Sequence, residues 1–494
     1  MKTGRSLFPL ALLPLALALG AGPLFPAVPL KNIYSQAPSY KTALGGFSSG
    51  IVLVDLNKDG YDDMVLVNGS DMTPQPLSVY YNHLAAGKGT LFGQWPDWYS
   101  QEIGYNVAVA SGDIDQDGWP DLIVIEVYNL KHDAGSGGFT VFRNDGKGSF
   151  ILSSRIPIPG TIPLGCALAD ADVDGDLDAV IAVYSEQSGD RIVPGRGRVY
   201  LNENGIFSPN PAWMTAEHIG AAGVTAADVN QDGWMDLAFA ADRPIVYYGE
   251  PRGGLGFISK WTGGLPHPFS FSIDAGWLQA EASSLISVPG GKGLTLAVSA
   301  SASPFTFANC RDNCGLFLYD PQGFMIGPTW RSEPAQAVKL LFADLNDDGY
   351  LDLVGNQPGP VTPAAPGAPL LFFQGGKEGF DAKPSLVTTG EVVGQGLAFA
   401  DLYRKKEVVE KQAFLAKAPV AVLTLPRRLV TVLGVTKNGQ PLPYAWAPGA
   451  NWISLATPLA TGDSVVVEYR YSRRLDVAAS TWNPLQGNQI YLSQ

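Results

Sequence analysis

The sequence predicts an all-β fold, a seven-bladed β-propeller with a small β-sandwich-like domain inserted in the last blade. A nine-residue acidic loop, D-x-[D/N]-x-D-G-x-x-D, recurs along the chain, and its first four copies are 57 or 58 residues apart. Short apolar runs with the periodicity of strands rather than helices flank each copy. A repeat of this length has room for four strands, which is the content of one propeller blade.

The spacing of the acidic loop predicts the number of blades. Intact copies begin at Asp55, Asp113, Asp170, Asp228 and Asp344. The last interval is two periods long, and residues 283–299 within it keep the apolar flanks and glycine turn of a copy without its acidic residues. Asp401, 57 residues after Asp344, begins a further copy without its loop. Seven starts therefore predict seven blades.

The last blade is expected to be interrupted. The repeat pattern stops after Asp401 and resumes at Arg474 with strand-like runs that match the preceding repeat. We therefore assign residues 23–403 and 473–494 to the propeller and residues 404–472 to an inserted small β domain. The alternative is a separate C-terminal domain with no seventh blade. With the insertion, residues 37–43 would supply the fourth strand of the last blade and would close the ring.

The first 22 residues have the pattern of an export signal. Lys2 and Arg5 precede an apolar run over residues 7–19, and small residues follow it. The alternative, an uncleaved membrane anchor, needs about 20 apolar residues. No other segment is apolar enough to span a bilayer, so the mature protein is expected to be secreted, periplasmic or at the cell surface. A disulfide between Cys310 and Cys314 would suit that environment.

The acidic loops predict calcium sites. Calcium takes six to eight oxygen ligands, and loop positions 1, 3, 5 and 9 offer side-chain oxygens while position 7 offers its backbone carbonyl. An EF-hand would also need a Glu at position 12 and flanking helices, which these repeats lack. The candidate ligands are Asp55, Asn57, Asp59, Tyr61 and Asp63; Asp113, Asp115, Asp117, Trp119 and Asp121; Asp170, Asp172, Asp174, Asp176 and Asp178; Asp228, Asn230, Asp232, Trp234 and Asp236; and Asp344, Asn346, Asp348, Tyr350 and Asp352.

A purely structural role for these loops is the alternative, because Asp, Asn and Gly also favour turns. Carboxylates crowded within a few ångströms would repel one another without a cation, so up to five Ca²⁺ are expected. The net charge of −13 then reflects metal binding, and it disfavours nucleic acid as a partner.

With these loops and their flanking strands, the chain resembles the FG-GAP and VCBS repeat proteins, which include integrin α-chain propellers and many exported bacterial proteins. The resemblance implies a propeller with calcium loops between the first two strands of each blade. It does not imply one activity, because such proteins include adhesion ectodomains and proteins that bind or cleave carbohydrates.

The sequence favours a binding or adhesion module whose ligand is an extracellular protein or carbohydrate. The alternative is an extracellular polysaccharide-acting enzyme of the lyase type, for which Arg243 with His267, or Lys131 with His132, are conceivable members of a site. Tryptophans outside the predicted regular strands could form a ligand-binding face or pack between blades; these are Trp95, Trp98, Trp213, Trp261 and Trp330.

Overall fold

The computed structural model describes residues 28–494 apart from short segments. The segments left out are 128–136, 251–255, 265–269, 277–284, 287–293, 301–314, 322–326 and 358–366, with positions 44, 88, 258, 336, 391, 405 and 429. The predicted signal peptide, Cys310, Cys314 and most of the worn fifth loop lie outside the described residues. The regular structure of the described part is all strand, apart from a 3₁₀ turn at Leu30–Asn32. It contains no helix long and apolar enough to cross a membrane.

Most described strands form four-stranded antiparallel sheets, which we number by repeat and give from the first strand outward. Sheet 1 contains Ser48–Val54, Asp63–Asn68, Gln75–Tyr80 and Trp98–Gly104. Sheet 2 contains Asn106–Gly112, Asp121–Glu126, Gly137–Asn144 and Phe150–Ile158. Sheet 3 contains Thr161–Ala169, Asp178–Ser188, Arg198–Tyr200 and Trp213–Met214, with Arg191–Pro194 paired to its second strand. The hairpin Asn202–Glu203 and Ile206–Phe207 follows its third strand.

The later repeats have the same plan. Sheet 4 contains Gly223–Ala227, Asp236–Ala240, Pro244–Tyr248 and Ser259–Thr262. Sheet 5 contains Ser270–Gly276, Thr295–Ala300, Gly315–Tyr319 and Trp330–Arg331. Sheet 6 contains Lys339–Ala343, Asp352–Asn356, Leu371–Phe373 and Leu386–Val387. Sheet 7 contains Gly394–Ala400, Asp476–Thr481, Gln489–Tyr491 and Tyr40–Lys41.

The sheets are arranged as a propeller. The first strand of each sheet contacts the first strands of the sheets before and after it, and the first strand of sheet 7 contacts that of sheet 1, so these inner strands form a closed ring among the described residues. The second strands of sheets 1, 4, 6 and 7 are buried along their whole length. Their continuous apolar runs follow from this position, because both faces of each sheet pack against neighbouring sheets. The predicted all-β propeller class is confirmed.

The N-terminal segment completes the last sheet. Tyr40 pairs with Ile490, and Lys41 pairs with Gln489, in antiparallel register. Residues from the two ends of the chain thus share one sheet, as the prediction of closure by residues 37–43 requires. Pairing these two edges removes the exposed strand edges that an open ring would leave.

The strands between sheet 7's first and second strands form two further sheets. One contains Glu407–Ala416, Ser464–Ser472, Thr431–Lys437 and Gln440–Pro441, with Leu285–Ile286 parallel to Glu407–Ala416. The other contains Val420–Thr424, Trp452–Leu459 and Tyr444–Ala445. They enclose an apolar cluster of their own that includes Phe414, Leu423 and Tyr469. We call these strands the inserted unit; the exact domain boundaries at 404 and 472 stay a prediction.

Candidate metal centres

The five intact acidic loops share one backbone conformation. Each joins the first and second strands of its sheet, and we number them 1, 2, 3, 4 and 6 by sheet. The residue at position 4 has a positive φ in every case, between 54° at Lys58 and 66° at Val173. Glycine at position 6 has a φ between 86° and 96°. Because an L side chain is rarely stable at such φ values, the glycine is what allows the sharp reversal of the loop.

The aspartate at position 1 stabilises the turn by accepting hydrogen bonds from backbone N–H groups of its own loop. In loop 1, Asp55 Oδ1 accepts the N–H of Asp59 at 3.1 Å, and Oδ2 accepts the N–H of Gly60 at 2.8 Å. The position-1 carboxylates Asp170, Asp228 and Asp344 accept the same two N–H groups in their own loops. The position-5 carboxylate in turn accepts the N–H of position 7, at 2.8 to 3.0 Å in all five loops.

Loops 2 and 3 bring three carboxylates to one point. Oxygens of Asp113, Asp115 and Asp117 lie within 4.8 Å of one another, and so do oxygens of Asp170, Asp172 and Asp174. These two groups are positions 1, 3 and 5 of the predicted ligand sets.

Loops 1, 4 and 6 carry asparagine at position 3, and in loops 4 and 6 this asparagine bonds the position-5 carboxylate. Asn230 donates to Asp232 Oδ2 at 2.8 Å in loop 4, and Asn346 donates to Asp348 Oδ2 at 2.8 Å in loop 6. In loop 6, Arg427 of the inserted unit also donates to Asp344 Oδ2 at 2.7 Å. A guanidinium therefore already supplies positive charge at Asp344, and Arg143 does the same at Asp115 of loop 2, 3.1 Å away. The grouping of three carboxylates still makes loops 2 and 3 better suited to a divalent cation than the other three loops.

Unpaired carboxylate oxygens also favour loops 2 and 3 as metal sites. Among the described residues, buried carboxylate oxygens without a hydrogen-bond donor occur at Asp113, Asp172 and Asp176, all in these two loops. Burial raises the pKa of Asp113 to about 6, and burial together with Asp174 raises the pKa of Asp176 to about 7. An unpartnered buried carboxylate is costly unless a cation or a proton neutralises it. The donor set, all oxygen, fits Ca²⁺.

The aspartate at position 9 has a structural role that the sequence pattern does not reveal. In loop 2, Asp121 Oδ2 accepts the N–H of Ile114 at 3.1 Å, and Oδ1 accepts the N–H of Asn144 at 2.8 Å. Asp63, Asp178, Asp236 and Asp352 make the equivalent pair of bonds, and all five side chains are fully buried. The position-9 carboxylate therefore links the loop to the end of the third strand by hydrogen bonds. This structural role does not depend on whether the residue also binds a metal.

A recurrent asparagine after the third strand is a site residue that sequence reasoning missed. Asn144 donates to the Leu56 carbonyl at 2.8 Å, and Asn202 donates to the Ile114 carbonyl at 2.8 Å. Each bond reaches the acidic loop of the preceding sheet, 88 residues earlier in the chain. Asn82 makes the corresponding bond to the Leu402 carbonyl across the ring closure. The signal was present, since Asn ends the aromatic runs of repeats 1 to 3.

The seventh loop is the point of insertion. Asp401 stands at its position 1 and Asp476 at its position 9, with the inserted unit between them. Asp476 Oδ2 accepts the N–H of Leu402 at 3.0 Å, and its Oδ1 accepts the N–H of Ser493 at 2.7 Å, which repeats the bonds of the other position-9 aspartates. The insertion thus leaves the structural part of the loop intact.

The inserted unit lies on the face of the ring that carries the acidic loops. The Gly233 carbonyl of loop 4 accepts the N–H groups of Ala421 and Val422, both at 2.9 Å. At Gly175 of loop 3, an added Cβ would lie 2.5 Å from the Ala456 Cβ, so the close approach requires glycine. In the centre, Arg428 donates to Asp274 of sheet 5 at 2.6 Å. Loops 3, 4 and 6 are therefore partly covered.

The structure corrects the interpretation of most of the tryptophans as loop residues. Trp98, Trp213, Trp261 and Trp330 lie in fourth strands, and their rings pack against other aromatic rings at 4.9 to 6.0 Å. These four tryptophans therefore pack between neighbouring sheets, which is the second of the two roles expected for them. Trp95 differs, because 59% of it is exposed, and Tyr99 on the following strand is 48% exposed.

The residues suggested for a lyase site are only partly described. His267, Lys131 and His132 lie outside the described residues. Arg243 is exposed and pairs with the adjacent Asp242 at 3.3 Å. The other two histidines belong to different sheets: His83 contacts Asp97 at 3.0 Å in sheet 1, and His218 contacts Glu186 at 3.2 Å in sheet 3.

Comparisons with known proteins agree with the repeat pattern. The family model of the FG-GAP-like repeat matches residues 55–124 and 188–239. The chain therefore contains FG-GAP-like repeats, which confirms the resemblance drawn from the acidic loops. No curated protein gives a significant match. A solved structure of BBS1N in complex with ARL6DN is similar over 66% of this chain and 93% of its own, with 12% identity and a TM-score of 0.35, too low to support an argument.

Proposed function

We propose that this protein is an exported, calcium-binding β-propeller that acts as a binding or adhesion module for an extracellular protein or carbohydrate. The observation that carries the calcium part is the grouping of three carboxylates, with orphaned buried oxygens, in loops 2 and 3. The loop backbone holds these carboxylates close together. A bound cation would neutralise the repulsion between them. The FG-GAP-like repeats support a scaffold of this kind.

The bound metal can be counted. Asp117→Ala removes one of the three converging carboxylates of loop 2, so elemental analysis after dialysis against calcium should find one ion fewer than in the wild-type protein. Lys292→Ala, in the worn fifth copy, should leave the count unchanged and is the matched control. Chelation should lower the melting temperature of the wild-type protein, since a ligand that binds only the folded state stabilises it. Equal ion counts in wild-type and Asp117→Ala would contradict the assignment.

The exposed aromatic residues of sheet 1 favour its outer edge as a ligand surface. Trp95, Tyr99 and Ile103 are 59%, 48% and 61% exposed, although each is large and apolar. Aromatic side chains at a surface supply contact area to sugars and proteins. The loop-bearing face is less available because the inserted unit covers part of it, although that unit could offer a second recognition surface.

Ligand binding can be tested with glycan and protein arrays in calcium. The wild-type protein should bind a subset of ligands without releasing products, and Tyr99→Ala should weaken that binding at least tenfold. Ile192→Ala, at a residue 71% exposed on sheet 3, is the control and should bind normally. Release of unsaturated sugar products would instead support the alternative, a lyase.

A further inference from the structure

The centre of the ring contains a cavity of about 230 Å³. It is lined by the beginnings of the inner strands, which lie at the face of the ring opposite the acidic loops. Residues 447–452 of the inserted unit line the channel at the other end. The volume is many times what a single water molecule needs.

The walls of this cavity are small residues at one level of the ring. Five positions before each loop aspartate, the described inner strands carry the residues Gly50, Ala108, Gly165, Gly223 and Gly396. In sheet 6 the same position is Lys339, whose side chain lines the cavity. Lys339 is therefore the long, cationic side chain at this level of the ring. The small residues described at the equivalent positions leave the centre open.

Lys339 has no ion pair or side-chain hydrogen bond among the described residues. The nearby carboxylate is Asp274, and its Oδ2 already accepts Arg428 Nη1 at 2.6 Å and the N–H of Phe342 at 2.9 Å. Burial lowers the pKa of Lys339, and Asp274 and Cys166 only partly offset this effect. Lys339 is partly buried, and its ammonium has no anionic partner in the described part of the chain, so a bound anion would offset the cost of withdrawing that charge from water.

The rest of the lining includes Trp482. Its indole N–H is buried and has no hydrogen-bond partner among the described residues, but it has almost no accessible surface and so does not open onto the cavity. The acidic residue in the lining is Asp71, between the second and third strands of sheet 1, where it accepts the Ser70 hydroxyl at 3.1 Å. Its negative charge disfavours a dianion such as phosphate, while the unmatched lysine favours a single negative charge.

We propose that the central cavity binds a small organic carboxylate, with Lys339 as its counter-ion and the ring of Trp482 as part of the wall beside it. The small side chains around the ring accommodate the body of the molecule. This site is distinct from the outer edge of sheet 1 and from the metal loops, so it goes beyond the proposed function and does not depend on it.

The test compares the wild-type protein with Lys339→Met, which keeps the length of the side chain and removes its charge. Titration calorimetry and melting curves with acetate, lactate and galacturonate, at constant ionic strength, should show binding of at least one of these to the wild-type protein. Lys339→Met should bind it at least tenfold more weakly. Galactose, the uncharged analogue, should not bind in the cavity.

Two controls make the outcome decisive. Lys383→Met, on an exposed lysine of sheet 6, should retain wild-type binding. Without any carboxylate, Lys339→Met should melt no lower than the wild-type protein, because it removes an unpaired, partly buried charge. Equal binding by Lys339→Met, binding of none of the three carboxylates, a preference for inorganic phosphate, or a large fall in the melting temperature of Lys339→Met would each overturn the proposal. Array binding through Tyr99 should be unchanged in Lys339→Met, so the two proposals fail separately.

Discussion

At the scale of single residues, the acidic loop combines two kinds of aspartate. In loops 2 and 3, the aspartates at positions 1, 3 and 5 converge and repel one another, which is the arrangement that a cation relieves. Asp121 and its equivalents at position 9 are buried and accept two backbone N–H groups each. The motif therefore survives at Asp476 although the seventh loop has lost its metal-type residues, because position 9 is needed for the fold.

This division predicts different effects of two substitutions. Asp121→Ala leaves the N–H groups of Ile114 and Asn144 without an acceptor, and it should destabilise the protein by about 3 kcal/mol or more even in chelator. Asp117→Ala should destabilise it mainly when calcium is present, because the one N–H that Asp117 accepts, that of Trp119, is exposed and can bond water instead. Urea denaturation in both conditions measures the difference. Asp121→Asn, which keeps one acceptor, should be intermediate, and the exposed Asp190→Ala should have no effect. An Asp121→Ala protein as stable as wild type in chelator would refute the structural role.

At the scale of the loop as an element, crowding of carboxylates makes stability depend on pH. Burial raises the pKa of Asp113 to about 6 and that of Asp121 to about 7, and burial raises the pKa of Asp63 to about 8. A carboxyl whose pKa is higher in the folded than in the unfolded state binds its proton more tightly when folded. Its stabilisation is complete at low pH and is lost as the pH rises through these values.

Without calcium, the free energy of unfolding should therefore fall between about pH 4 and pH 8. Calcium should oppose this fall, because it takes the place of the protons on the loop carboxylates and binds more tightly as they ionise. Denaturation at pH 5 and pH 8, each with calcium and with chelator, tests the prediction. A chelated protein that is more stable at pH 8 than at pH 5 would contradict it.

At the scale of the whole molecule, the chain enters and leaves the inserted unit at one narrow point, although the unit also packs on several acidic loops of the ring. The N–H of Arg473 donates to the Lys406 carbonyl at 3.0 Å, and Glu407 pairs with Ser472, so the two chain connections lie side by side. The first and second strands of sheet 7 pair independently of the inserted unit.

Replacing residues 407–472 by an Asn-Gly turn should therefore leave a folded ring. Its melting temperature should be lower than that of the full chain, because the Arg427–Asp344 and Arg428–Asp274 pairs and the packing on loops 3 and 4 are lost. Circular dichroism and a melting curve check both points. The double variant Arg427→Met with Arg428→Met, which retains the unit, should show part of the same decrease. A shortened chain without a cooperative transition would mean that the ring needs the inserted unit to fold.

The sequence by itself determined the repeat, the all-β class and the sharp reversal of the five intact loops. These features are local or periodic: a glycine at position 6, an aspartate every 57 or 58 residues and a run of buried apolar residues specify the backbone wherever they occur. The tertiary structure decided which side chains have partners. The tryptophans became packing residues, Asn144 and Asn202 became ties between sheets, and Arg427 became the counter-ion of loop 6. Lys339 became an unpaired cation among small residues that line the central cavity. Each of these contacts joins residues that are far apart in the chain and come together only when the ring closes. A local sequence pattern therefore does not predict them.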